Sequence, residues 1–217
     1  MVRTKTPQWT YYPQTRLMSD TYKTIKGNVE GTYSEKRSKF LAFAYHVTSI
    51  EEVKTYITQI QKKYYDARHV CYAYMLGPTR ENFRANDNGE PSGTAGKPIL
   101  GQINSYELTD ILIIIVRYFG GIKLGTSGLI VAYRQAAIEA LENAEIIEKT
   151  VDEDITFKYD FEAMNSVMKI IKDLQPQIIT QDYDNICTMT LRIRKSLMPQ
   201  MKDKLLKIEG LQIITND

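Results

Sequence analysis

Residues 117–128 read Arg-Tyr-Phe-Gly-Gly-Ile-Lys-Leu-Gly-Thr-Ser-Gly, a run of cations, aromatics and hydroxyls spaced by four glycines. Glycine opens backbone conformations closed to other residues. A helix starting at the end of the run adds unpaired N–H groups with positive partial charge, and the combination suits an anion. Arg117, Tyr118, Gly120, Gly121, Lys123, Gly125, Thr126 and Ser127 are the residues expected to contact it. A second run, residues 86–98, reads Asn-Asp-Asn-Gly-Glu-Pro-Ser-Gly-Thr-Ala-Gly-Lys-Pro. It offers Ser92, Thr94 and Lys97 as donors and Asp87 and Glu90 as carboxylates. Loops this long usually have a job, and two readings stand: a loop for an anion or metal ion, or a rigid loop packed on its own domain. A Walker phosphate loop is excluded, because Pro91 holds its first glycine position, Pro98 follows Lys97, and no buried strand precedes it. His69 has no nucleophile or carboxylate placed beside it by sequence, and a catalytic site needs nucleophile, base and orienting group together.

The elements that must hold these runs follow from periodicity. Residues 111–116 are continuously apolar and mostly β-branched, as in a strand buried on both faces. Leu129, Tyr133, Ala136, Ala140, Ala144 and Ile147 then recur at helical spacing. Arg117, between the apolar strand and two aromatics, either pairs with a carboxylate such as Glu90 or points at a ligand. Residues 70–76 alternate like a sheet strand, stopped by Gly77-Pro78. Ser49 with Glu52 three residues on is a capping box for a helix running to about Lys63. Residues 22–33 and 39–47 read as a hairpin whose connection crowds Lys36, Arg37 and Lys39 at one corner, and residues 102–107 as a short helix. From residue 151 the texture changes: strand 151–160, helix 163–174, strands 177–183 and 186–194, helix 197–208, strand 211–215. This βαββαβ order is the ferredoxin-like arrangement. The expected fold is α+β in two domains, residues 19–149 and 150–217, after a poorly ordered tail over 1–18.

Composition narrows the class. With 217 residues and 43% hydrophobic content the chain can bury real cores. Its 28 basic and 26 acidic side chains exclude a massively basic, histone-like mode. Residues 1–150 hold 19 basic against 15 acidic side chains, whereas residues 151–217 hold 9 against 11, so polyanion contact is expected from the first part. Cys71 and Cys187 lack paired spacing or a histidine cluster, so neither a disulfide framework nor zinc is indicated. No cofactor is expected. No apolar run reaches the ~18 residues that span a membrane, and no signal-peptide core is present. The expected location is the cytoplasm.

Residues 88–100 and 116–129 together closely resemble the two signature segments of the YigZ/IMPACT family, with similarity from about Tyr22 to the C-terminus. Asn88 stands where an acidic residue is usual and Ser127 where glycine is common. The resemblance implies an N-terminal domain similar to the second domain of a small-subunit ribosomal protein, and a C-terminal domain resembling one of elongation factor G. Eukaryotic relatives are associated with restraint of a starvation-activated kinase controlling translation initiation. The function so implied is a non-enzymatic binding protein linked to translation regulation, contacting RNA, the ribosome or a translation factor through its glycine-rich loops. The alternative is an enzyme or small-anion-binding protein using the same cleft, with Lys97, Arg117 and Lys123 around a phosphate and Asp87, Glu90 or His69 as acid or base.

Overall fold

A computed structural model describes residues 20–184 and 186–214. The tail expected over 1–18 lies outside the described residues. The first part of the chain runs β1 (Thr21–Ile25), β2 (Val29–Glu35), β3 (Ser38–His46), α1 (Ile50–Lys63), β4 (His69–Leu76), β5 (Asn82–Asn86), α2 (Gly96–Ser105), β6 (Ile111–Tyr118), α3 (Gly125–Glu142) and β7 (Ile146–Thr150). The second runs β8 (Asp152–Tyr159), α4 (Met164–Leu174), β9 (Gln177–Tyr183), β10 (Cys187–Arg194), α5 (Met198–Leu205) and β11 (Gln212–Ile214). The fold is α+β and two-domain.

The buried strand predicted from residues 111–116 is β6, the middle of a five-stranded antiparallel sheet in the order β2-β3-β6-β4-β5. Alternation along β6 explains why it is apolar throughout. Ile111, Ile113 and Ile115 join the core under α2 and α3, while Leu112, Ile114 and Val116 join the core under α1. On α3, Leu129, Tyr133, Ala136 and Ala140 face the sheet as the spacing requires. Helix α1 starts at the predicted cap: Ser49 Oγ accepts from Glu52 N at 3.2 Å. The return bond from Glu52 goes to Thr48 N at 2.7 Å, one residue before the cap. Replacing Ser49 with alanine is expected to cost about 1 kcal/mol, read as a lower midpoint in urea unfolding with an unchanged slope.

Three expectations need correction. Residues 22–33 are two strands, not one: β1 leaves for a two-stranded ribbon with β7, and β2 alone forms the hairpin with β3. The helix after β6 begins at Gly125 and ends at Glu142, so Thr126, Ser127 and Gly128 sit in its first turn and Ile147 belongs to β7. The short helix expected over 102–107 is the end of a longer one, α2, which starts at Gly96 and takes Lys97 and Pro98 in its first turn. Proline fits there because a first-turn N–H has no helical partner to lose. Gly96 is held tightly, since an added Cβ would sit 2.5 Å from Asn86 N. Strand β5 has largely exposed side chains and is held by backbone pairing to β4.

The second sheet is antiparallel in the order β11-β8-β10-β9, with α4 and α5 packed on one face, where Met201 of α5 joins Phe157, Met189 and Leu191 in the core. Its element order is the βαββαβ read from the sequence. The two domains meet where the Asp20 carboxylate takes both Nε and Nη2 of Arg194 at 2.6 Å. That pairing holds the Asp20 pKa far below the usual carboxylate range. No helix among the described residues is long and apolar enough to cross a membrane.

Candidate functional site

Both glycine-rich runs lie at the end of the sheet where β6 finishes, and a buried polar chain ties them together. Arg117, the last buried residue of β6, is 7% exposed and points to the α3 side. Its Nη1 donates to Glu90 Oε1 at 2.7 Å. The same oxygen accepts from the Tyr133 hydroxyl at 2.9 Å, and Cys71 Sγ, with one hydrogen to donate, lies 3.3 Å from the Tyr133 oxygen and 3.0 Å from Asp87 O. The open alternative for Arg117 therefore resolves in favour of the carboxylate. Burial pushes the Cys71 thiol up to about 12 and raises Tyr133 beyond the usual phenol range, so neither ionises near neutrality. Burial penalises an anion that cannot be hydrated.

The 86–98 run is organised around Asp87. Its Oδ2 accepts from Gly93 N at 2.8 Å, and its Oδ1 accepts from Ala95 N at 2.9 Å and Gly96 N at 2.8 Å. Burial alone would raise the Asp87 pKa, but the three N–H donors outweigh it and hold the group below the ordinary carboxylate value. The anion seat at the start of α2 is thus filled by the chain's own carboxylate. Thr94 is buried and donates to Pro91 O at 2.7 Å. Ser92 and Lys97 remain exposed on the rim.

Residues 117–128 split. Arg117 and Tyr118 lie on opposite faces of the sheet, and the Tyr118 hydroxyl donates to Asp66 Oδ1 at 2.7 Å. Gly120 lies on the β2–β3 turn: its N donates to Ser38 Oγ at 3.2 Å, and an added Cβ would overlap the Arg37 backbone. Gly121, Lys123, Gly125, Thr126 and Ser127 are exposed, and the first turn of α3 carries no side-chain cap. The β2–β3 turn brings the Arg37 backbone beside Gly120, and register places Lys39 opposite Tyr118, on the face away from Arg117. Phe119 is 53% exposed. Sequence reasoning missed Cys71 and Tyr133 as members of the polar chain, because each sat in an apolar stripe that reads as core.

His69 Nδ1 lies 3.0 Å from Asn88 O, and no group of three or more potential metal-binding side chains occurs among the described residues. A cavity of about 450 Å³ lies at the domain junction, lined by Tyr22, Arg80, Glu107, Glu148 and Lys195, and no residue of either glycine-rich run lines it.

This architecture has relatives. The model of the Impact N-terminal domain matches residues 36–141, a span that starts at the β2–β3 turn and includes β3, β6 and both glycine-rich runs. The IMPACT family member YvyE of Bacillus subtilis (strain 168) is 33% identical over 158 residues, covering 73% of this chain and 73% of its own. The chain belongs to the IMPACT family. Another IMPACT family member, YigZ of Escherichia coli (strain K12), is 29% identical over 172 residues, covering 78% of this chain and 84% of its own. The two-domain arrangement is similar to the crystal structure of a hypothetical protein, with a TM-score of 0.71, 26% identity and coverage of 91% of this chain and 98% of that one. This IMPACT-family chain thus shares both domains with that structure, not the first alone.

Proposed function

We propose that this IMPACT-family protein is a non-enzymatic, cytosolic binding protein linked to translation regulation, which contacts RNA through the end of the first sheet. Residues 19–149 form the domain that makes the contact and residues 150–217 the domain that accompanies it. The observation that carries the reading is that the β2–β3 turn, with Lys36 and Arg37, packs through the Arg37 backbone against Gly120 of the glycine loop, which carries exposed Lys123 and leads to the uncapped, exposed start of α3. Backbone amides, hydroxyls and cations of this kind suit phosphate contacts, which position a nucleic acid without reading its sequence. Membership of the family supports the link to translation, with which eukaryotic relatives are associated. The acid–base alternative is disfavoured because Asp87 is engaged by three backbone amides and Glu90 by Arg117 and Tyr133.

Filter binding with a mixed-sequence RNA tests this. Affinity is expected to fall as salt rises, and Lys123→Ala is expected to flatten the slope of log affinity against log salt by about 1. Binding that ignores salt, or none, defeats the RNA reading. Arg117→Ala is the wrong probe, because it removes a buried ion pair rather than a surface contact.

A further inference from the structure

Phe119 is an exposed ring backed by a buried cation. The Tyr133 ring meets Phe40 edge-on, with centroids 5.2 Å apart and planes at 82°. The Arg117 guanidinium carbon lies 5.7 Å from the Phe40 ring centre and 5.6 Å from the Phe119 ring centre. Glu90 fixes that guanidinium at 2.7 Å. The result is a column, Tyr133, Phe40, Arg117, Phe119, that starts in the core and ends at the surface. One face of the Phe119 ring rests on a buried cation that cannot swing away, yet the residue is 53% exposed. An exposed ring on a glycine loop would ordinarily sample many orientations; this one is orientated from below.

We infer that Phe119 is a preformed stacking platform for an unpaired nucleobase, so that the nucleic acid bound at this end of the sheet is single-stranded. The inference rests on the RNA reading above and narrows it. A fixed aromatic face bordered by cations is the combination that binds single strands, because every base has a π-face and the backbone needs neutralising. Cations stand beside the loop: the Arg37 backbone packs against Gly120 and Lys123 is exposed in the same loop, whereas Lys39, in register with Tyr118, belongs to the other face of the sheet. Asp66 accepts from the Tyr118 hydroxyl on the other face of the sheet, and Glu35 accepts from the Tyr33 hydroxyl. A duplex keeps its base faces stacked on one another and offers none to the platform.

The test is fluorescence anisotropy of the full chain with labelled dodecauridylate and with a blunt RNA duplex of the same length, across a salt series. The single strand is expected to bind more tightly than the duplex. Phe119→Ala is expected to weaken single-strand binding by roughly 5- to 150-fold, the equivalent of about 1–3 kcal/mol for one stacked base, with the salt slope unchanged. Phe119→Trp is expected to keep the affinity. Melting curves of both variants should match wild type, since the side chain is exposed. Wild-type affinity in Phe119→Ala, or equal binding of duplex and single strand, overturns the platform and leaves RNA binding standing. Failure of wild type to bind either RNA overturns both, and leaves the patch to a protein partner.

Discussion

Glu90→Leu is expected to destabilise the first domain by about 3 to 5 kcal/mol, the cost of leaving a buried charge without its partner. For a chain of this size that corresponds to roughly 6 to 20 °C in melting temperature. The Glu90 and Arg117 side chains are 3% and 8% exposed, so water cannot take the place of the lost carboxylate. Tyr133 also loses the acceptor for its hydroxyl, and hydrogen exchange should report the release of residues 88–95, which this pair ties to β6 and α3. The double variant Glu90→Leu, Arg117→Met is expected to recover most of the loss, because an apolar pair of similar volume is often neutral or stabilising where a buried ion pair stood. One observation strengthens that expectation. Arg117 Nε is buried with no acceptor among the described residues, so the native pair carries an uncompensated desolvation cost. Thermal melting of the two single variants and the double one forms a cycle. A double variant as unstable as the sum of its parts would falsify the view that the penalty comes from the orphaned charge.

The fold was legible where one physical signal dominated. Six consecutive apolar residues admit little but a strand covered on both faces, and β6 is one. Ser49 and Glu52 marked α1 because the cap is built from neighbours in sequence. The βαββαβ order of the second domain followed from alternation and spacing uninterrupted by long loops. Where the deciding contact came from far away, the signal vanished. Strand β5, Asn-Phe-Arg-Ala-Asn, has weak strand composition and exists because β4 offers it a backbone ladder. The start of α2 carries glycine, lysine and proline, poor helix material, and its N–H groups are capped by Asp87, nine residues before Gly96. Strand β7 was absorbed into the helix pattern because Ala144 and Ile147 keep helical spacing past the true end at Glu142.

The site divides in the same way. Residue types located both glycine-rich runs, since glycine, hydroxyl and lysine clusters are visible in one dimension. They did not separate the faces of β6, which send Arg117 toward Glu90 and Tyr118 toward Asp66. Nor did they show that the hairpin corner and the glycine loop are one surface. That follows from Gly120, whose missing Cβ lets two segments more than eighty residues apart touch.

Asp87→Ala is expected to cost about 3 kcal/mol and to release the start of α2. Hydrogen bonds to a charged group contribute about 1.5–3 kcal/mol each, and three that share one carboxylate do not add fully. The pH dependence has a definite sign. The folded-state pKa of Asp87 lies below its ordinary value of 3.8, so its stabilisation is fully present above that value and disappears as pH falls through the folded pKa. The difference in melting temperature between wild type and Asp87→Asn should therefore be constant near neutrality and shrink below about pH 4. Using the difference removes the other depressed carboxylates, Asp20, Asp154 and Glu52, which act equally in both proteins. A difference that grows on acidification would show that the amides of Gly93, Ala95 and Gly96 do not hold the ionised form. Because the carboxylate occupies an anion seat, Asp87→Gly should also gain what wild type lacks there. Added formate or phosphate is expected to raise the melting temperature of Asp87→Gly and leave wild type unmoved, since a small anion can fill amides that the native chain fills from within.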